Sequence, residues 1–249
     1  MIVLKTGREL ELMREACRIS AGALQVIGQA IEPGVSTAEL DRMAEKYILS
    51  QGAEPNFKNY EGYPATACIS INNAVIHGIP SHSKIIKSGD IVSVDLGAKI
   101  HGYHGDNAAT FAAGDISPEA KRLIDTTRES LYEGIKMARA GGRIGDIGAA
   151  VQKYVESRGF SVVRDFVGHG VGTQLHEAPE VPNFGTPGRG IRLLPGMTIA
   201  IEPMVNAGRP DVKVLPDGWT VLTKDGSLSA HFEHTIAITA DGPVIMTRP

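Results

Sequence analysis

The sequence predicts an α+β fold in which two helices followed by antiparallel strands occur twice. Three observations carry that prediction. Helical periodicity covers residues 7–31 and 117–158, short apolar runs broken by turn residues cover 65–112 and the chain beyond 160, and the chain matches itself at a shift of 107 residues.

The first helix is predicted over 7–31, where Leu10, Met13, Cys17, Leu24, Ile27 and Ile31 fall on one face. Thr6 followed by Glu9 forms a capping box at its start. Pro33-Gly34 stops it, and Ser36 with Glu39 caps a second helix running to about Gly52. Between 65 and 112, Asn72-Asn73, Gly78, Gly89-Asp90 and Gly102 punctuate apolar runs, the pattern of strands and turns. Ser117-Pro118-Glu119 opens a third helix ending near Gly141, with proline at the first helical position. A fourth helix spans about 145–158, and beyond 160 the Gly- and Pro-rich chain reads as strands and loops.

The shift of 107 places Gly34 on Gly141, Leu40 on Ile147, Tyr47 on Tyr154, Gly52 on Gly159 and, most tellingly, Asp95 on Glu202. Both acids sit inside apolar strands, IVSVDLG and MTIAIEPMV. A second acid follows each, Asp106 after 11 residues and Glu233 after 31, which an insertion of about 20 residues in the second hairpin loop explains. That loop holds Pro210, Pro216 and Trp219. The expectation is a single catalytic domain over 1–249, with related halves at about 7–112 and 117–240, whose joint receives two carboxylates from each half.

Composition excludes other classes. With 42% hydrophobic and 21% charged residues, the chain has the balance of an ordinary globular protein. A net charge of -3 without long basic runs argues against a nucleic-acid partner. No apolar run approaches the roughly 20 residues that span a bilayer, and the N-terminus lacks the apolar core of a signal peptide. Two cysteines, Cys17 and Cys68, make no disulfide framework and fit a reducing, cytoplasmic setting.

A single strand acid is most simply accounted for by a neighbouring arginine or lysine. Four acids converging from repeated positions repel one another unless cations neutralise them, and two divalent ions balance four carboxylates. GHGVGTQLHEAP, residues 168–179, adds nitrogen donors. His169 lies between glycines that permit close backbone approach, and an imidazole with four carboxylates suits transition ions. His176 lies seven residues on and can face the same cleft. The stretch is neither a zinc-binding HExxH helix nor a phosphate loop, because Ala178-Pro179 follows His176-Glu177 and no Gly-Lys-Ser/Thr is present. His77, in NNAVIHGIP, is ambiguous when taken alone.

Five stretches together resemble the type I methionine aminopeptidases of the pita-bread metallopeptidase superfamily, in their short bacterial form. They are YEGYPATACISINNAVIHGIP (60–80), VDLGAKIHGYHGDNAATF (94–111), GHGVGTQLHEAPEV (168–181), IEPMV (201–205) and FEHTIAIT (232–239). The resemblance implies a pita-bread fold, a curved central sheet covered by helices with pseudo-twofold symmetry. It implies two divalent ions per chain (Co2+, Fe2+, Mn2+ or Zn2+) held by Asp95, Asp106, His169, Glu202 and Glu233. Asp106 and Glu233 would bridge both ions, His169 and Glu202 would bind one, and Asp95 the other. His77 and His176 match the histidines that contact the scissile peptide, and Glu202 is expected to move the water proton. Tyr60, Tyr63, Cys68 and Trp219 are expected to line a methionine pocket, with Phe57 and Leu175 as further wall residues. The chain departs from the family in carrying Thr173 where arginine is frequent and Leu175 where an aromatic is frequent; Leu175 is expected near the methionine pocket and bears on its shape, not on metal ligation.

The implied activity is removal of the N-terminal methionine from newly made polypeptides when the second residue is small, by metal-activated water attack. The expected setting is a cytoplasmic monomer acting near the ribosome, with neither membrane nor nucleic acid as partner. Two alternatives differ by visible features. A proline-specific aminopeptidase or prolidase would carry a further N-terminal domain, whereas here the repeat begins near residue 7. A non-catalytic binding module of the same fold would lack the five metal-ligand residues, all of which are present.

Overall fold

The two helix pairs form where caps and apolar spacing direct them. In the computed structural model, which describes residues 2–248, α1 spans Gly7–Ala30 and α2 Thr37–Ser50. Both open with the capping boxes expected, Thr6 with Glu9 and Ser36 with Glu39. The second pair is α3, Pro118–Met137, and α4, Ile144–Glu156. α3 stops short of Gly141 because the Ala138 amide turns back to the Ile135 carbonyl and tightens the last turn.

In the first half the strands are β1 (Glu54–Pro55), β2 (Ala67–Ile71), β3 (Ala74–Ile76), β4 (Ile91–Ile100) and β5 (Tyr103–Ala112). The second half supplies β6 (Ser161–Val162), β7 (Gly168–Gly170), β8 (Glu177–Val181), β9 (Thr198–Ile201) and β10 (Met204–Asn206). It continues with β11 (Val212–Val214), β12 (Val221–Thr223), β13 (Ser229–His231), β14 (Glu233–Thr239) and β15 (Gly242–Ile245). The main sheet runs β1-β4-β5-β14-β9-β7-β8, with β2 also on β4 and β15 also on β14. At its centre the inner strands β5 and β14 abut and the outer strands β4 and β9 flank them, so the halves meet symmetrically.

The β4–β5 register is set by a two-residue turn, His101-Gly102, with φ of 53° and 80°. Two consecutive left-handed residues match the right-handed twist of a hairpin. This turn sets Asp95 opposite Ala108 and Gly97 opposite Asp106.

Each half buries its own apolar core behind the sheet. Ile19, Ile27, Leu40 and Ile48 of α1 and α2 pack on Val92, Val94 and Leu96. Leu123, Leu131, Ile147 and Val151 of α3 and α4 pack on Ile199, Ile201 and Ile236. α1 lies so close to β5 that a Cβ on Gly105 would stand 2.5 Å from the Cys17 backbone nitrogen.

The insertion between β9 and β14 is more ordered than a loop. It contains the β11–β12 hairpin, and β12 pairs with β3 of the first half, Val221 opposite Ile76. This crossing carries Trp219 over to Tyr63, with ring centroids 5.1 Å apart.

Gly105→Ala forces α1 off the sheet, because the new methyl would meet helix backbone rather than a mobile side chain. The expected loss is about 1–3 kcal/mol, read as a lower denaturation midpoint at constant m. A wild-type midpoint would contradict the close helix–strand contact.

Candidate metal centre and substrate pocket

Strand register brings the acids together. Directly opposed residues of an antiparallel sheet share a face. Cys68 on β2 faces Asp95 on β4, Asp95 faces Ala108 on β5, and Ala108 faces Glu233 on β14. Continuing the β9–β14 register from His234 opposite Ile201 brings Glu202 beside Glu233. Asp106, two residues before Ala108, points from the same face. One row therefore runs across five strands, β2, β4, β5, β14 and the end of β9, and the small Ala108 leaves space at its middle.

His169 completes the cluster from β7. A Cβ on Gly168 would stand 2.4 Å from the Ala200 carbonyl oxygen, and one on Gly170 2.3 Å from that of Ala178. Both glycines are needed for strand approach, and the histidine between them is driven inward. Its Nδ1 lies 2.8 Å from the Gly170 carbonyl oxygen and so carries the proton. Nε2 is left as a lone pair 3.7 Å from Asp106 Oδ2 and 3.6 Å from Glu202 Oε1. Burial and the neighbouring His176 lower its pKa to about 3, so these approaches are those of a neutral imidazole rather than ion pairs.

Donor atoms of Asp106, His169 and Glu233 all lie within 4.8 Å of one another, near enough to hold one cation. Among the described residues, Asp95 Oδ1, Asp106 Oδ1 and Glu233 Oε1 are buried without a hydrogen-bond partner. Burial pushes Asp106 up to about 8, against the pull of the Asn107 amide. Burial, with the charge of Asp106 next in effect, also lifts Glu202 and Glu233 well above the carboxylate range, and Asp95 is raised by burial, Asp106 and Glu202. Orphaned oxygens, suppressed ionisation and a lone-pair imidazole form a donor set that divalent cations fit.

Above this floor opens a cleft of about 420 Å³. All the residues expected to build the site line it: Phe57, Tyr60, Tyr63, Cys68, His77, Leu175, His176 and Trp219 on the walls, and the five metal-ligand candidates below. His176 meets the His169 ring edge-on at 4.2 Å, and its Nδ1 lies 2.9 Å from the Tyr60 hydroxyl. Burial lowers its pKa. His77 adopts a left-handed backbone, φ 56°, an uncommon conformation for a side chain of this size. Its ring stands edge-on to Phe166 and Trp219 at 5.9 and 6.2 Å, and burial with His176 lowers its pKa to about 4. Burial and Asp95 push the Cys68 thiol well up, so it is a wall group rather than a thiolate. Tyr63 Oη donates to the Ala67 and Gly78 carbonyls, which fixes its ring as a wall.

Phe166 and His231 are among the site's residues that escaped the sequence reading. Phe166 forms part of the wall against His77. His231, 1% exposed, brings Nε2 to 3.6 Å from Glu202 Oε2, and neither ring nitrogen has a hydrogen-bond partner. His231 ends β13, two residues before Glu233, and that closeness in sequence to a predicted ligand was the signal for it.

Fold and site together define a metallopeptidase. The chain belongs to metallopeptidase family M24, whose model matches residues 11–240. Within that family its likeness is to the methionine aminopeptidases. It is 54% identical over 248 residues to methionine aminopeptidase 1 of Bacillus subtilis, covering 100% of both chains. The crystal structure of methionine aminopeptidase from Thermotoga maritima superposes with a TM-score of 0.99 at 46% identity, again over 100% of both. The Xaa-Pro dipeptidase from Bacillus anthracis is more distant, with a TM-score of 0.80 at 26% identity, and this chain covers only 62% of it. The resemblance read from the five motifs is borne out, and with it the pita-bread fold. Among the described residues no helix is long and apolar enough to cross a membrane.

The raised carboxylates fix the sign of a pH effect. A group whose folded pKa lies above its unfolded value loses its stabilising contribution as pH rises through the folded pKa. The buried histidines, His169 included, are neutral in both states above about pH 7. The melting temperature of the metal-free protein should therefore fall between pH 7 and 8.5, as Asp106 is forced to ionise at about 8. Saturating Mn2+ should flatten that fall. A metal-free melting temperature that is level or rises across this window would contradict the shared burial of the acids.

Proposed function

We propose that this chain removes the N-terminal methionine from newly made polypeptides whose second residue is small, using two divalent ions held by Asp95, Asp106, His169, Glu202 and Glu233. The observation that carries the reading is five metal-ligand groups on the floor of a cleft walled by aromatics and a thiol. The methionine aminopeptidase names of the full-length relatives support it.

Ions held there would supply Lewis acidity, lowering the pKa of a water and polarising a carbonyl, and would leave room for the substrate's free amine. Glu202, on the floor of the cleft, would accept the proton of the attacking water and pass it to the leaving nitrogen. Tyr60 donates to His176 Nδ1, leaving Nε2–H free to donate to the oxygen that gains charge in the transition state. His77 faces the scissile peptide from the other wall. Tyr63, Cys68 and Trp219, with Phe57 and Leu175, form the pocket for an unbranched, polarisable methionine side chain. The second residue is confined between His77 and His176, which favours small side chains. Substrate chains are met as they leave the ribosome, by a monomer in the cytoplasm, where the two buried free thiols are at home.

Peptide turnover tests the reading. Met-Ala, Met-Gly and Met-Ser peptides should be cut, Met-Leu, Met-Lys and Met-Phe barely, and Ala-Pro and Arg-Pro not at all. Efficient release of Arg or Ala ahead of proline, with weak release of methionine ahead of glycine, would move the chain to the proline-specific class.

Two substitutions probe the roles. Asp106→Ala or Glu233→Ala should abolish turnover at saturating metal while the fold persists, because each removes a member of a repelling group; near-wild-type turnover by either would refute the ligand assignment. His176→Ala should lower kcat by about 10²–10³ with KM little changed. Metal content falling in step with its activity would instead make His176 a ligand.

A further inference from the structure

The turn that carries His176 is closed around a buried carboxylate. Glu177, with its side chain 8% exposed, accepts the Gln174 amide at 3.2 Å and the Thr173 hydroxyl at 3.4 Å on Oε1. Its other oxygen, Oε2, is taken by the ammonium of Lys5, whose side chain is 3% exposed. Burial raises the Glu177 carboxyl, but Lys5 and the turn amides outweigh it and hold the group ionised.

Lys5 belongs to the extended segment ahead of α1 and is itself pinned. Its amide donates to the Gly196 carbonyl at 2.7 Å, and its ammonium also donates to the Val3 carbonyl at 3.2 Å. Its stem lies on the turn's backbone: a Cβ on Gly172 would stand 2.4 Å from Lys5 Cε and 2.6 Å from Glu177 Oε1. The Gly172 carbonyl accepts the His104 amide at 2.9 Å, which ties the start of the turn to β5. His176, next in the chain to Glu177, has one further tether, the Tyr60 hydroxyl.

A buried ion pair is about neutral for stability against an apolar pair of the same size, whereas losing one partner leaves a costly unpaired charge. What the pair provides beyond stability is orientation. We infer that Lys5 is a positioning residue for the reaction: acting through Glu177, it fixes the 172–177 turn and so the aim of His176. The inference rests on the proposed role of His176 and extends it to a residue outside the cleft lining.

The test compares the full-length wild type with Lys5→Met, Lys5→Met/Glu177→Met and His176→Ala, all at saturating Mn2+ and well below their melting temperatures. Amide hydrogen exchange over 172–177 is followed in the metal-free proteins. The double variant removes both charges, so it should fold with a melting temperature near wild type even where Lys5→Met does not. Its kcat should fall about ten- to a hundredfold, with KM and metal content unchanged, and exchange in the turn should speed at least severalfold while α1 and β5 stay protected. Wild-type kcat in the double variant would overturn the inference. So would a loss of activity matched by a loss of metal, unchanged exchange in the turn, or failure of the double variant to fold, which would make the pair a stability element. Full turnover by His176→Ala would instead break the underlying role of His176, whatever Lys5 does.

Discussion

Four carboxylates share one buried volume, and among the described residues none of them forms an ion pair with an arginine or lysine. Among the described residues the basic groups within ion-pair distance of them are His169 and His231, whose pKa burial lowers to about 3, so both are neutral. Like charges gathered in this way cost several kcal/mol unless they are protonated or neutralised by cations. The fold supplies the energy that offsets this from elsewhere. Two separate apolar cores, one behind each half of the sheet, hold the strands in register against the repulsion at their joint.

The same constraint explains the arrangement of the strands. Inner strands β5 and β14 bring Asp106 and Glu233, and outer strands β4 and β9 bring Asp95 and Glu202, so each half delivers one inner and one outer acid. The walls of the cleft do not follow this symmetry. Trp219 comes from the hairpin inserted only in the second half, and Tyr60, Tyr63 and His77 come from the first half alone. The symmetric part is suited to holding cations, and the asymmetric part gives the substrate side chain one direction to enter.

Much of this was legible in the sequence because it rests on local chemistry. Caps at Thr6, Ser36 and Ser117 marked three helix starts, and an acid inside an apolar strand is visible wherever it occurs. Asp95 and Glu202 could be equated because the intervening lengths are conserved between the halves up to that point. The inserted hairpin was read as a loop, since its pairing with β3 depends on a partner about 145 residues away that no local pattern reveals. Phe166 and His231 were missed for a related reason: the first matters only through its contact with His77, and the second only through its approach to Glu202, which comes from a different strand. The buried Lys5–Glu177 pair was likewise invisible, because a lysine near a chain start and a glutamate after a histidine each read as surface residues.

Burial that suppresses ionisation of the acids means that divalent ions entering the site should displace protons from it. Anaerobic calorimetric titration of the metal-free protein with Mn2+ at pH 7.5, in buffers of different ionisation enthalpy, measures stoichiometry and proton release together. Two ions should bind per chain with about one proton or more released, and both quantities should fall in Asp106→Asn. Binding without proton release, or no binding at all, would contradict it.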